Sequence, residues 1–339
     1  MTGPFTRIAV LGLGLVGGSL ARVLAARGLD VVGHDVDPAT VAAARAAGLD
    51  ATGSLADAVA GADLVALAVP LRAMRATAAE VARCARGDFT LTDVGSVKGP
   101  VRQAVEAAGL GERFVGAHPM AGTEHSGFAA SSPGLLDRAP WAVTVPGTGG
   151  TGGRGRADGP VGVVSPDRLE RLLRLVTGPL RGTAAVLTDE VHDEAAALVS
   201  HVPHVLATQI LNAVAGAPVR EAALGLAAGS FRDGTRVAFT DPARTEAMVT
   251  ENAAWVAPAL RKAVRDLEAL VAALETNAPV HGFFHAADQV RAQGRAGERT
   301  LVEAEPVALT GDWPAALAAR CATGAVVTGL TDAEALLAR

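Results

Sequence analysis

Tyrosine is missing altogether from these 339 residues, and aromatic side chains make up only 3% of them. With the abundance of Ala, Arg and Gly, that absence reflects coding bias as much as structural demand, and no function is drawn from it. Cysteine occurs only twice, at Cys84 and Cys321. Two thiols so far apart in the chain form neither a disulfide framework nor a metal-ligand pair, which agrees with a reducing compartment and with ordinary small core residues. Long apolar runs are lacking too. Half the chain is hydrophobic, yet no 18 uninterrupted apolar residues occur, so a soluble protein without a membrane span is expected. The opening MTGPFTRIAVLG has no basic region followed by an apolar stretch and a small-residue cleavage site, and a cytoplasmic location is expected. Positive charge is not in excess either: 30 Lys and Arg stand against 35 Asp and Glu. The net charge of -5 supplies no basic field for a polyphosphate backbone, so nucleic acid is not an expected partner.

What is present is enough chain for two ordinary domains. The first half alternates short apolar runs with Ala-rich segments: RIAVLG, SLARVLAARG, DVVGHD, ATVAAARAAG and DLVALAVP. That alternation predicts βαβαβ and an α/β, doubly wound parallel sheet of Rossmann type with helices on both faces. Further strands are expected at FTLTDVG, RFVGAHP and PWAVTVP. Residues 147–161 are Gly-rich without apolar period and read as a surface loop. SPDRLERLLRLVTGPL has a Ser cap, Pro in its first turn and helical Leu spacing, and with the strand AAVLT it closes a first domain over residues 1–188. Residues 189–290 switch to long helical segments, an all-α domain whose Ala- and Leu-rich faces suit burial in a two-fold homodimer. Residues 291–339 suggest a strand, a helix and a strand, too little for an independent domain, and no role is assigned to them.

Gly12, Gly14 and Gly17 form GxGxxG between the strand RIAVL and a helix, with Leu15 and Val16 inside the motif. In that context the glycines permit a tight turn and close backbone approach to a pyrophosphate, which the helix N-terminus receives. Asp35 ends the second strand, VVGHD, where a carboxylate accepts ribose hydroxyls and repels a 2′-phosphate; NAD rather than NADP is expected. A turn or helix-capping role is the alternative for Asp35, although Asp37 before Pro38 can fill it instead. Asp93 in TDVGSVKG is also assigned to the cofactor side of the crevice. Ser96 and Lys98 belong to the same segment, and GAHPMAGTEHSG follows with His118, Thr123 and Glu124. Both segments are expected at the carboxyl ends of strands, where ligands bind in such sheets. A histidine there can titrate near neutrality and act as a general base.

GLGLVGGSL, DVGSVK and GAHPMAGTEHSGF, with SHVPH and GSFRDGTRVAFTDP further on, resemble the prephenate and arogenate dehydrogenase family over roughly residues 6–275. The resemblance implies an NAD-binding first domain, a helical dimerisation domain and an active site between them. It places the catalytic histidine at His118, hydrogen-bonded to a ring hydroxyl whose proton it takes as hydride leaves. Ser96 matches the serine that bonds the same hydroxyl and the histidine. Arg236 matches the arginine gripping the ring carboxylate, a task suited to its bidentate donors. Glu124 falls at the mouth of the site, and Thr123 beside it is assigned to substrate binding. Taken alone, Arg232, Asp233 and Arg236 would read as a surface ion-pair cluster. His201 and His204 lie one helical turn apart. They suit either a packed pair or a ligand contact, with His204 the possible substrate contact, and without a third ligand no metal is expected. Where relatives often carry Trp shortly after this region, the chain has Thr245, so the side-chain pocket can differ. Prephenate, arogenate and dual use remain open, and so does feedback inhibition. A β-hydroxyacid dehydrogenase would normally use a lysine base, against HPMAGTE, and a non-enzymatic NAD sensor is the remaining reading.

Overall fold

The computed structural model describes residues 4–123, 125–147, 164–294 and 301–339. Strand β1 (Arg7–Leu11) sits at the centre of a parallel sheet with β2 (Asp30–His34), β3 (Asp50–Thr52), β4 (Leu64–Leu67) and β5 (Thr90–Asp93), in the order β3-β2-β1-β4-β5. Ile8, Val10 and Leu20 belong to the core on one face, and Ala9, Leu11 and Leu67 to the core on the other. Successive side chains of a strand point to opposite faces, so a strand covered on both sides reads as one continuous apolar run. Burying each of Ile8, Val10 and Leu11 contributes about 1.5–3 kcal/mol before entropy is counted. The order reverses between β1 and β4, which places a crevice at the carboxyl ends of these two strands.

Beyond β5 a second sheet, of six strands, follows. A parallel bridge joins Leu91 to Phe114, and β6 (Gly116–Pro119) then pairs antiparallel with β7 (Pro140–Val145). β7 pairs parallel with β8 (Thr183–Thr188), and Ser165 caps the amphipathic helix Pro166–Thr177 between them, through Arg168 N at 3.4 Å. The sheet does not end at β8, contrary to expectation. β10 (Val326–Leu330) lies against β8, then β11 (Glu334–Ala338) and β9 (Glu303–Ala308), all antiparallel. Trp313, Leu317 and Cys321 of the helix Trp313–Ala322 join the same core as β7 and β8. The C-terminal residues thus complete the sheet domain, and the helical residues between are an excursion from it. The Gly-rich segment falls, apart from Gly147, outside the described residues.

The excursion begins with a continuous helix, Asp189–Ala215, interrupted by one π turn at Ala197–His201. Pro203 has no N–H to offer the preceding turn, and a widened turn accommodates its ring. By length and mean hydropathy this helix could cross a membrane. Its first turns, however, bury Asp189, His192 and Asp193 in polar contacts with the sheet domain. The helical region has a small core of Ala197, Val202 and Val256, with Trp255 and Leu260 packed on it. Val264, Leu267, Val271 and Leu274 of the helix Ala253–Glu275 share one face at 3- and 4-residue spacing and are exposed.

Candidate active site

The turn after β1 shows which glycines the protein itself requires. Gly12 has φ +99°, and a Cβ there would lie 2.5 Å from the Ala68 carbonyl oxygen; a Cβ on Gly17 would lie 2.0 Å from the Gly12 oxygen. Gly14 differs, since a Cβ there meets nothing within 4 Å. Its smallness is not used by the protein, and it opens the N-terminus of the helix Leu15–Ala26, which no side chain caps. Unpaired N–H groups facing open space suit a pyrophosphate. The Leu15 side chain is core, so only its backbone can serve there, while Val16 is half-buried. Asp35 stands at the end of β2 with one oxygen accepting from Leu13 N at 2.8 Å and the other from Asp37 N at 2.9 Å. Two backbone donors orient the carboxylate, and each oxygen keeps a lone pair for a ribose hydroxyl. Asp37, not Asp35, caps the next helix, through Ala39 N and Thr40 N.

Asp93 requires a correction. It was expected at the cofactor, but it is fully buried. One oxygen accepts from Ala117 N at 3.1 Å, and the other from Gly95 N at 2.8 Å and from the Lys98 ammonium, which also donates to Ala117 O at 2.7 Å. Burial pushes the Asp93 carboxyl up, and Lys98 opposes that rise. With every donor supplied from within, Asp93 fastens β5 to β6 and does not reach a ligand. It thereby holds the loop carrying Ser96, which is half-buried, beside the strand whose next residue is His118.

His118 Nδ1 lies 3.0 Å from Nε2 of His192, and His192 Nδ1 lies 2.8 Å from Asp193 Oδ1. Asp193 also accepts from Lys98 N at 2.7 Å and Gly99 N at 2.9 Å, where a helix of the sheet domain begins. Burial, then His192, Lys98 and His201, hold His118 well below 6.5. The ring is therefore neutral at pH 7, as a general base must be. His201 is fully buried; burial lowers it to about 4, and Asn252 Nδ2 donates to its Nδ1 at 3.0 Å. His204 is half-buried and donates from Nδ1 to Ser200 O at 2.9 Å, which leaves Nε2 as an acceptor. The two histidines thus have different environments. Among the described residues no group of three His, Cys, Asp or Glu could hold a metal.

At the mouth, Thr123 is exposed, its hydroxyl accepts from His125 N at 3.3 Å, and Arg244 of the helical region donates to its carbonyl at 3.2 Å. Glu124 lies outside the described residues. Arg236 is exposed on a 3-10 turn, Arg236–Phe239, packed against the helix Val202–Ala215 that carries His204. No ion pair joins Arg232, Asp233 and Arg236 among the described residues, so the surface-cluster reading finds no support. A cavity of about 880 Å³ at the same domain junction is lined by Arg102, Glu106, Glu194, Trp255 and Lys262, and not by His118, Ser96 or Arg236. Sequence reasoning missed His192, Asp193, Asn252 and Arg244. The pair His192–Asp193 in the first turns of the helix after β8 was a signal, but nothing local ties it to His118, 74 residues earlier.

The family model described as prephenate dehydrogenase, nucleotide-binding domain, matches residues 20–151, and the prephenate dehydrogenase dimerization domain matches residues 188–285. The chain is 34% identical over 276 residues to a cyclohexadienyl dehydrogenase of Zymomonas mobilis, covering 80% of this chain and 89% of that one. A crystal structure of a putative prephenate dehydrogenase from Corynebacterium glutamicum superposes with a TM-score of 0.79 at 32% identity, over 94% of this chain and 98% of that one. Prephenate dehydrogenase from Aquifex aeolicus, in complex with hydroxyphenyl propionate and NAD+, gives 0.72 at 28% identity, over 85% and 96%.

Proposed function

This chain belongs to the prephenate and arogenate dehydrogenase family, and from that premise we propose that it converts prephenate to 4-hydroxyphenylpyruvate on the route to tyrosine. It is an NAD-dependent oxidoreductase acting on substrates of the prephenate and arogenate type. The observation that carries the reading is His118, a neutral imidazole near the carboxyl end of β6, the strand that follows the parallel sheet bearing the Gly12–Gly17 cradle and Asp35. NAD, when bound, accepts hydride from the hydroxyl-bearing ring carbon. His118 takes the hydroxyl proton, and Ser96 holds the same oxygen. Arg236 holds the ring carboxylate until it leaves as carbon dioxide, its bonding electrons aromatise the ring, and His118 returns the proton to the phenolic oxygen. Aromatisation drives the reaction, so the protein must chiefly align groups and move one proton. Thr123, Glu124 and His204 are proposed as further substrate contacts. Purified protein given NAD and prephenate should produce NADH absorbance at 340 nm, and no absorbance would leave a binding protein. The likeness to a cyclohexadienyl dehydrogenase supports a second reading, use of arogenate, which the same assay tests.

NAD should be used far better than NADP, because the Asp35 carboxylate opposes a 2′-phosphate. Asp35→Ser should narrow the gap, and equal specificity constants in the unmodified enzyme would remove Asp35 from this role.

The helical region is proposed to form a homodimer. A three-residue core beside the exposed stripe Val264, Leu267, Val271 and Leu274 is too little for an isolated unit. Sedimentation at micromolar concentration should give twice the chain mass; a monomer there contradicts the proposal. A cytoplasmic location is proposed with it, and the unpaired state of Cys84 and Cys321 supports a reducing compartment.

A further inference from the structure

His192 is the residue whose role neither the motifs nor the reaction scheme explains. It is buried, lies on the first helix of the helical region, and touches the ring of His118 on the sheet domain. We propose that His192, held by Asp193, is a positioning residue that fixes the tautomer of His118, so that its Nε2 carries the lone pair that removes the substrate proton. The inference rests on the reading of His118 as the base.

The hydrogen positions follow from which atoms can donate. The Asp193 carboxylate only accepts, and it receives Lys98 N, Gly99 N and His192 Nδ1 at 2.7, 2.9 and 2.8 Å. The hydrogen on that side of His192 therefore sits on its own Nδ1. A neutral His192 then has a lone pair at Nε2, and the atom 3.0 Å away is His118 Nδ1. His118 must donate from Nδ1, which leaves Nε2 as its basic nitrogen. Without this partner the two neutral tautomers compete, and the ring turns more freely about its side-chain bonds. Because Asp193 also receives the first N–H groups of the helix Gly99–Ala107, the alignment depends on both domains being docked. Once His118 has taken a proton, its Nδ1–H still points along His192 towards the Asp193 carboxylate, which stabilises the imidazolium. The groups facing His118 are His192 and His201 from the helical region and Lys98 from the sheet domain, and burial is the chief cause that holds it below the ordinary histidine value.

Two measurements test this. In NAD-bound protein labelled with 15N-histidine, with His118 assigned by the loss of its signals in His118→Asn, Nδ1 should be protonated and Nε2 bare at neutral pH. The opposite tautomer overturns the proposal, and because no substrate is needed, this result is independent of whether prephenate is the substrate. In the second, His192→Gln places an amide oxygen near the position of Nε2, where it accepts from His118, whereas His192→Ala offers nothing. His192→Ala should lower kcat by about tenfold or more with the KM values for NAD and substrate little changed. His192→Gln should stay within about threefold of the parent. A His192→Ala enzyme with kcat within twofold of the parent, or a Gln variant no better than Ala, overturns the proposal. The tautomer measurement stands even if either variant fails to fold.

Discussion

A His118→Asn enzyme is expected to bind substrate and NAD nearly as the parent does and to turn over about a hundredfold more slowly or worse, the loss typical of a positioned acid–base group. The substitution suits the geometry. An Asn amide reaches about as far as Nδ1 of the ring it replaces, so it can still donate to His192 and keep the junction intact, but nothing remains where Nε2 faced the hydroxyl. The pH dependence gives a second readout. A base works when deprotonated, so the parent's activity should rise with pH through the His118 titration. Burial and three neighbouring cations or imidazoles place that limb well below 6.5, and activity should be flat around neutrality. In His118→Asn the limb should vanish. Near-normal turnover in the variant, or an unchanged limb, would remove His118 from its role, while the Gly12, Gly14, Gly17 and Asp35 site for NAD would stand.

Arg236→Ala should act on binding instead. A charge-assisted contact to the ring carboxylate already exists in the ground state, so its loss should raise the KM for substrate by about tenfold to a hundredfold, with a smaller change in kcat and none in NAD affinity. Arg236 has the freedom to make that contact: it is exposed and forms no ion pair with the other described residues. Lys at this position should restore only part of the affinity, because an ammonium lacks the planar fork that meets both carboxylate oxygens. Unchanged KM and kcat in Arg236→Ala would assign the carboxylate to another cation, and Arg244, which reaches Thr123 across the mouth, is then the first to test.

Much of this site was legible before any coordinates because its rules are local. Gly12 and Gly17 are demanded by a six-residue turn whose clashes involve the turn itself and the adjoining β4 end. The strand alternation that marked β1, β2 and β4 is the two-residue period of a sheet covered on both faces. The caps at Ser165 and Asp37 were equally readable, because a short polar side chain satisfies N–H groups two or three residues ahead. Asp93 shows where local reading stops. A carboxylate ending a strand beside the crevice has the same sequence signature whether it faces a ribose or a buried lysine, and only the position of β6 decides.

By itself, then, the amino-acid sequence determined the Rossmann-type sheet, the helical second region and the family, and singled out His118 as the candidate base, because periodicity, turn sterics and dense local motifs are written within short windows. The tertiary structure decided the rest: that the last residues return to β8 and complete a second sheet, that Asp93 turns inward, and that His192 and Asp193 stand behind His118. These are choices of partner between segments tens of residues apart. They are settled by which surfaces can be buried together with every polar group satisfied, and that condition exists only once the whole chain is packed.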